Sequence, residues 1–414
     1  MGRADLVRVA GHRIRLDAMR AHPERYGRLA ATAKTIDGHA YCLCRPEPLR
    51  LVIRHRLDRY FLARWPGEGP LHDPSCPFHQ PDPALTGRAA YADTAIVDTP
   101  TGTTIRFDAP LTSSTAASVS GAQDELGATT SGSGRRTVGL LGLLHYLWED
   151  ARLNTWNPGK RRDWGTIAAD IGDRIHDCAL SGRPLHQVLH VIPPDRPGTR
   201  VANLAAFDEF VDRLRGPRDQ IRRALVLGEL TAVTATRYGV AYTLAHCPKR
   251  LFASAPLHER VLRSYGSAFS RAASTHAGRR VGLFLIERSP KGYATVADTA
   301  IMLTTGTGYI PCDSSHELVM ADALRHADRA FLKPVRYDHV SLVLPDFVLT
   351  DTDIATVIEV WGLDSEEYLR RKAIKIAEYE RSGTQLIGWC PEDPLPNLAV
   401  STTPFSDSRK SHGP

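Results

Sequence analysis

At 414 residues, with 42% hydrophobic and 24% charged residues, the chain has the composition of a folded globular protein and the length of two or three domains. No apolar run reaches the roughly 20 residues of a helical bilayer span, which argues against a membrane protein. The formal charge of +6 is uneven: residues 1–64 carry fourteen Lys/Arg against six Asp/Glu, or +8, leaving −2 over the rest. Such a basic front suits a polyanion such as nucleic acid, which rewards positive charge through counterion release.

The opening Met1-Gly2-Arg3-Ala4-Asp5 lacks the basic-then-apolar order of a signal peptide, so a cytoplasmic chain with reduced cysteines is expected. Residues 1–110 alternate arginines with short apolar runs, as in Leu49-Arg50-Leu51-Val52-Ile53-Arg54, and read as a basic β-rich module. Cys42-Leu43-Cys44 is followed by His72-Asp73-Pro74-Ser75-Cys76-Pro77-Phe78-His79. Thiolates and imidazole paired on two turns of a cytoplasmic chain suit a tetrahedral structural Zn²⁺ site. The preferred ligands are Cys42, Cys44, His72 and Cys76, with His79 as the alternative fourth.

Residues 111–136, rich in Ser, Thr, Ala and Gly, carry no apolar period and read as a flexible linker. A helical middle follows over 137–224. It opens with a helix at 137–153 that is apolar almost all round, continues with one from Trp164 to Leu180, and closes with one from Phe207 to Arg223. Residues 225–304 read as α/β, with strands near 224–227, 240–244, 281–287, 293–300 and 301–304 and a helix near Leu257–Ala273. Residues 305–400 give a helix at 314–328, strands near 341–349 and 355–361, a helix at 365–381 and a strand Gln385–Trp389, an α-β-β-α-β order. The tail, 401–414, reads as disordered. The expected fold class is α/β, of the multidomain α+β kind.

In the last region Asp346 opens one apolar strand and Glu359 follows Thr356-Val357-Ile358 on the next. Side by side, two such carboxylates suit Mg²⁺ or Mn²⁺, which takes one or two carboxylates plus waters and serves phosphodiester hydrolysis as a Lewis acid. Tyr368, Lys372, Lys375 and Tyr379 follow at helical spacing on one face. Ser314-Ser315-His316-Glu317 has the form of a capping box.

Pro345-Asp346 with Glu359-Val360-Trp361 resembles the PD-(D/E)xK, or restriction-endonuclease-like, nucleases. That resemblance implies a Mg²⁺ or Mn²⁺ site at Asp346 and Glu359 and a lysine that stabilises the developing phosphorane. Trp361 stands where that lysine usually lies. Branches of the superfamily move it to the following helix, which points to Lys375, with Lys372 as runner-up. They also carry an acid in the first helix, here Glu317, which touches the metal or holds Lys375. Phrases such as Cys42-Leu43-Cys44-Arg45 and Leu62-Ala63-Arg64-Trp65-Pro66-Gly67 resemble an uncharacterised bacterial family carried on plasmids and integrating elements.

The resulting expectation is a metal-dependent DNA endonuclease of a mobile-element or defence-related system. It would act on DNA as a homodimer or beside a mobile-element protein partner. The alternative is a non-catalytic nucleic-acid-binding protein that keeps a degenerate nuclease fold and a structural zinc site.

Overall fold

The apolar–basic alternation of the first 64 residues builds an antiparallel sheet, in the order His12–Arg15, Leu6–Val9, Ala40–Cys42, Leu49–Arg56, Arg59–Arg64. The computed structural model describes residues 5–56, 58–82, 85–114, 135–217, 220–339, 344–362 and 366–399. One face of this sheet buries Val7, Val9, Leu51 and Ile53 under the helices Leu16–Ala21 and Pro23–Ile36. Neither helix was expected: Pro23–Ile36 is polar around most of its circumference and buries only Ala30 and Ala33. The core of this module runs from Val7 to Phe78. Tyr91, Ile96, Ile105 and Phe107, from the same predicted 1–110 region, pack instead with the core of the next part.

That next core surrounds the helix Leu140–Asp150, which is buried at all eleven residues. Its ends are held by charge. Asp338, in a turn at φ +47°, accepts hydrogen bonds from the amides of Gly139 and Gly142, each at 2.7 Å, and from the Tyr91 hydroxyl. A carboxylate from nearly two hundred residues away thus caps the orphan amides of a helix start and meets its positive dipole end. A Cβ at position 142 would lie 2.6 Å from both Asp338 Oδ2 and the Tyr91 hydroxyl, so this position requires glycine. At the other end Asp150 pairs with Arg64 at 2.6 Å, and Arg152 donates to the carbonyls of Pro74 and Cys76, joining the helix to the N-terminal module.

The region read as helical, 137–224, also contains the strands Thr155–Trp156, Cys178–Leu180, Arg183–Pro184 and Leu189–Val191. The helix expected at Phe207–Arg223 is corrected to Arg200–Asp212, because Gly216-Pro217 cannot continue it and a strand begins at Gln220. That strand, Gln220–Thr236, pairs with Arg279–Arg288 through its first half and with Gly239–Leu244 through its second. Cys247–Ser254 and Ala294–Thr304 complete the circuit. The two strands read at 293–300 and 301–304 are therefore one. The helix read at 257–273 is broken into Ala255–Ser264, Gly266–Phe269 and Arg271–Thr275. Thr112–Ser114, assigned to the linker, pairs with Gln220–Arg222; residues 115–134 of that linker and the tail 401–414 lie outside the described residues.

The C-terminal sheet has the order Gln385–Trp389, Thr356–Val360, Phe347–Leu349, Phe331–Leu332, Thr155–Trp156, with its first pair parallel and the rest antiparallel. The helices Ser315–His326 and Glu366–Ser382 flank it in sequence. The chain order is α-β-β-β-α-β, the expected order with one more strand, Phe331–Leu332, too short to show a period. The whole is a mixed α/β protein, and among the described residues no helix is long and apolar enough to cross a membrane.

If the Asp338 cap holds the central helix, Asp338→Ala removes it at a cost of about 1–2 kcal/mol and lowers the melting temperature. Gly142→Ala should do the same by steric conflict. Unchanged melting of both variants would contradict this account.

Candidate active site and metal centre

The antiparallel register sets Phe347 opposite Ile358, so Asp346 and Glu359 face each other one step further along the same two strands. Phe347 and Ile358 turn into the hydrophobic core, which leaves both acids on the other face. Both are buried, Glu359 to 1% exposure. Asp346 Oδ2 accepts the Val360 amide at 2.8 Å, a bond that ties the two strands where the acids emerge.

The helix Glu366–Ser382 brings Lys375 and Tyr379 to Glu359. Lys375 Nζ lies 2.8 and 2.7 Å from the two carboxylate oxygens and 2.8 Å from the Leu344 carbonyl, while the Tyr379 hydroxyl donates to Glu359 Oε1 at 2.6 Å. Lys372 goes elsewhere, with its ammonium 4.7 Å from the centre of the Trp361 ring. The two lysines are thus separated in role, and the one beside the acids is Lys375. Tyr368's side chain lies outside the described residues. Burial, with the neighbouring Asp346 charge, pushes the Glu359 carboxyl above the usual carboxylate range, and Lys375 pulls against it.

Glu317 sits in the first turn of Ser315–His326, where Ser314 caps the helix and Glu317 Oε2 accepts the Asp313 amide at 3.0 Å. Its ion-pair partner is not Lys375. It is Lys333, 1% exposed, whose Nζ lies 2.7 Å from Glu317 and 3.3 Å from Asp313. Arg336 reaches Asp313 at 3.6 Å. Burial pushes the Glu317 carboxyl up, and Asp313 and Asp346 add to this against Lys333. Burial also works against the Lys333 ammonium, but Asp313, Glu317 and Asp346 outweigh it and hold its pKa above the ordinary lysine value.

Asp313, Lys333 and Arg336 were missed in the sequence. Lys333 had left one signal: a lysine inside the apolar run Ala330-Phe331-Leu332-Lys333-Pro334-Val335 must find a partner if that run is buried. Asp346, Glu359, Lys375, Glu317 and Arg336 all line one cleft of about 960 Å³. It therefore carries the paired acids with Lys375 and, beside them, Asp313, Glu317 and Arg336.

The second site is in the N-terminal module. Cys42 ends a strand, Cys44 lies in the turn after it, and His72 and Cys76 lie in turns following Gly69–Leu71. Their ligand atoms all fall within 4.8 Å of one another, and the four side chains are buried. Cys42 Sγ is 3.5 Å from Cys76 Sγ, and His72 Nδ1 is 3.4 Å from Cys44 Sγ and 3.6 Å from Cys76 Sγ. Ligands about 2.3 Å from a tetrahedral Zn²⁺ stand about 3.7 Å apart, so these separations fit the ion. The amides of Asp73 and Phe78 point at Cys44 and Cys76, each at 3.5 Å, as donors to thiolates. The hydrogen bond from Cys42 draws the Cys76 thiol well down, and His72 adds to the effect. His79 stays outside the cluster, and burial with Arg152 nearby lowers its pKa to about 4. This Cys₃His set could bind a structural metal such as zinc. Elemental analysis should find one zinc per chain, lost in Cys44→Ser and Cys76→Ser with a fall in melting temperature; a metal-free wild-type chain of normal stability would contradict a structural site.

Neither the search of curated proteins nor that of solved structures returned a match. A family model described as a protein of unknown function, DUF1173, matches residues 12–391, a span that takes in both the Cys/His cluster and the cleft. The chain belongs to this family.

Proposed function

We propose that the cleft is a Mg²⁺- or Mn²⁺-dependent phosphodiesterase centre acting on DNA, and that the C-terminal sheet with its two helices is a nuclease core of PD-(D/E)xK type. The observation that carries this reading is Lys375 Nζ at 2.7 Å from Glu359, with Glu359 facing Asp346 across two antiparallel strands. The lysine has left the strand, where Trp361 stands, and returns to the acids from the helix.

Asp346 and Glu359 are the residues that would hold the cation, since two adjacent carboxylates plus waters satisfy it. Bound there, it supplies Lewis-acid stabilisation of the scissile phosphate and acidifies water. In the hydrolysis itself a water oxygen bonds to phosphorus, the ester P–O bond breaks, and the departing oxygen takes a proton. The Lys375 ammonium is placed to move from Glu359 onto the phosphoryl oxygens as their charge grows. Tyr379 keeps Glu359 oriented while Lys375 is engaged. Glu317 stands beside the pair with its charge balanced by Lys333. Arg336, on the cleft wall, is available to a phosphate.

A second reading is favoured by one observation. Trp361 and Lys372 are stacked, which suits a site that has given up the strand lysine and binds nucleic acid without cutting it. The sequence resemblance implies a mobile-element setting for this activity.

Incubation with duplex, single-stranded and modified DNA and RNA in Mg²⁺ or Mn²⁺ separates the two readings. Metal-dependent cleavage of DNA is expected, abolished by Asp346→Ala and Glu359→Ala. Lys375→Ala should fall by about 10²–10³-fold with folding intact. Cleavage unchanged in Glu359→Ala would end the assignment, and metal-independent binding with no cleavage of any substrate would favour the second reading.

A further inference from the structure

The open face of the N-terminal sheet carries a second feature, remote from the cleft in sequence and independent of its chemistry. The strand register aligns Arg13 with Arg8, Arg8 with Tyr41 and Tyr41 with Arg50, so these four residues form one row across four strands. Three inter-strand steps of about 4.8 Å make the row about 14 Å long. It continues onto Trp65: Arg50 lies 4.4 Å over the Trp65 ring, as Arg8 lies 4.5 Å over Tyr41. His39 stands edge-on between the two rings, 4.7 Å from Tyr41 and 6.1 Å from Trp65.

The opposite face is the apolar one, packed under the helices. On the row's own face, Arg54 pairs with Asp177 of the adjoining core at 2.6 Å, so that core covers one end and leaves the other free. Arg13 and Arg50 are exposed, and Arg8, Tyr41 and Trp65 are half-buried. Glu68 holds Arg50, and Asp37 borders the hollow formed with Arg8, His39 and Tyr41. Arg8 and Arg13 make no ion pair among the described residues. Two guanidiniums without a carboxylate partner among the described residues, one of them stacked on Tyr41, stand in line with two aromatic rings and match a strand whose bases are free to stack and whose phosphates run beside them. A duplex keeps its bases stacked on one another and offers such a row only its phosphates.

We propose that this row is a binding platform for single-stranded nucleic acid, with Arg8 and Arg13 on the phosphates, Arg8 swinging off the Tyr41 face that it covers in the free chain, and with Tyr41 and the Arg50–Trp65 stack under the bases.

The full chain is titrated by fluorescence anisotropy, with Ca²⁺ in place of Mg²⁺ or Mn²⁺ and no chelator, over a salt series, with labelled oligo-dT and with a duplex of equal length. Binding is read on intact probe, without hydrolysis and with the Cys/His cluster left undisturbed, so failure here and failure of the cleft reading are distinguishable. Tighter binding of oligo-dT is expected. The double variant Arg8→Ala/Arg13→Ala should bind at least about tenfold more weakly and lose about 1.4 from the slope of log affinity against log salt, about 0.7 for each phosphate. Tyr41→Leu should weaken binding about tenfold with the slope unchanged. Arg13→Ala alone, on the edge strand, is the check should the double variant fold poorly, and it should lose about 0.7 of the slope. Equal or tighter duplex binding, no binding of either probe, or an unchanged slope in the folded arginine variants would overturn the proposal.

Discussion

Burial of one apolar helix along its entire length decides how the rest of the chain is arranged. Leu140–Asp150 has no solvent face, so its terminal amides and its own polar side chains must be satisfied from other parts of the protein. Asp338 meets the first turn, Thr86 donates to Glu149 at 2.6 Å, and Arg64 meets Asp150. His145 Nδ1 lies 2.6 Å from the Arg336 carbonyl. Those contacts fix two distant segments on one rod. The 333–338 segment, which carries Arg336 to the cleft and Lys333 to Glu317, lies at its start, and the turn bearing Cys76 is joined to its end through Arg152.

Charge then decides the form of the cleft. Glu317, Asp346 and Glu359 lie close together away from water, with the more exposed Asp313 beside them, a costly arrangement unless cations are near. Lys333 and Lys375 are those cations, one for each carboxylate group, and their bonds of 2.7 Å show how closely each is matched. Lys375 holds Glu359 through both carboxylate oxygens, the atoms that would hold a divalent cation under the proposed function, so that reading requires the lysine to be released as the cation binds.

Much of this was legible in the sequence, in a particular way. Asp346, Glu359, Lys375 and Tyr379 could be found because strand alternation and helical spacing leave a periodic trace. The same is true of Cys42, Cys44, His72 and Cys76, whose residue types and turn-forming neighbours announce a ligand set. Lys333 could not be assigned, because its strand is two residues long and its meaning depends on Glu317 and Asp313 arriving from another element. Gly216-Pro217 was a visible stop signal that the charge pattern of Phe207–Arg223 obscured. Thr155–Trp156 joined a sheet whose other strands lie well over a hundred residues later, and no local pattern carries such a pairing.

The central claim is that Asp346 and Glu359 share a divalent cation in a cleft that Lys375 completes. Anomalous scattering from crystals grown with Mn²⁺ and a non-cleavable oligonucleotide tests it most directly. A manganese peak between Asp346 and Glu359, with Lys375 Nζ moved from Glu359 to a phosphate oxygen, is the predicted result. No peak at these acids, with Lys375 still paired to Glu359 beside bound nucleic acid, would contradict the account.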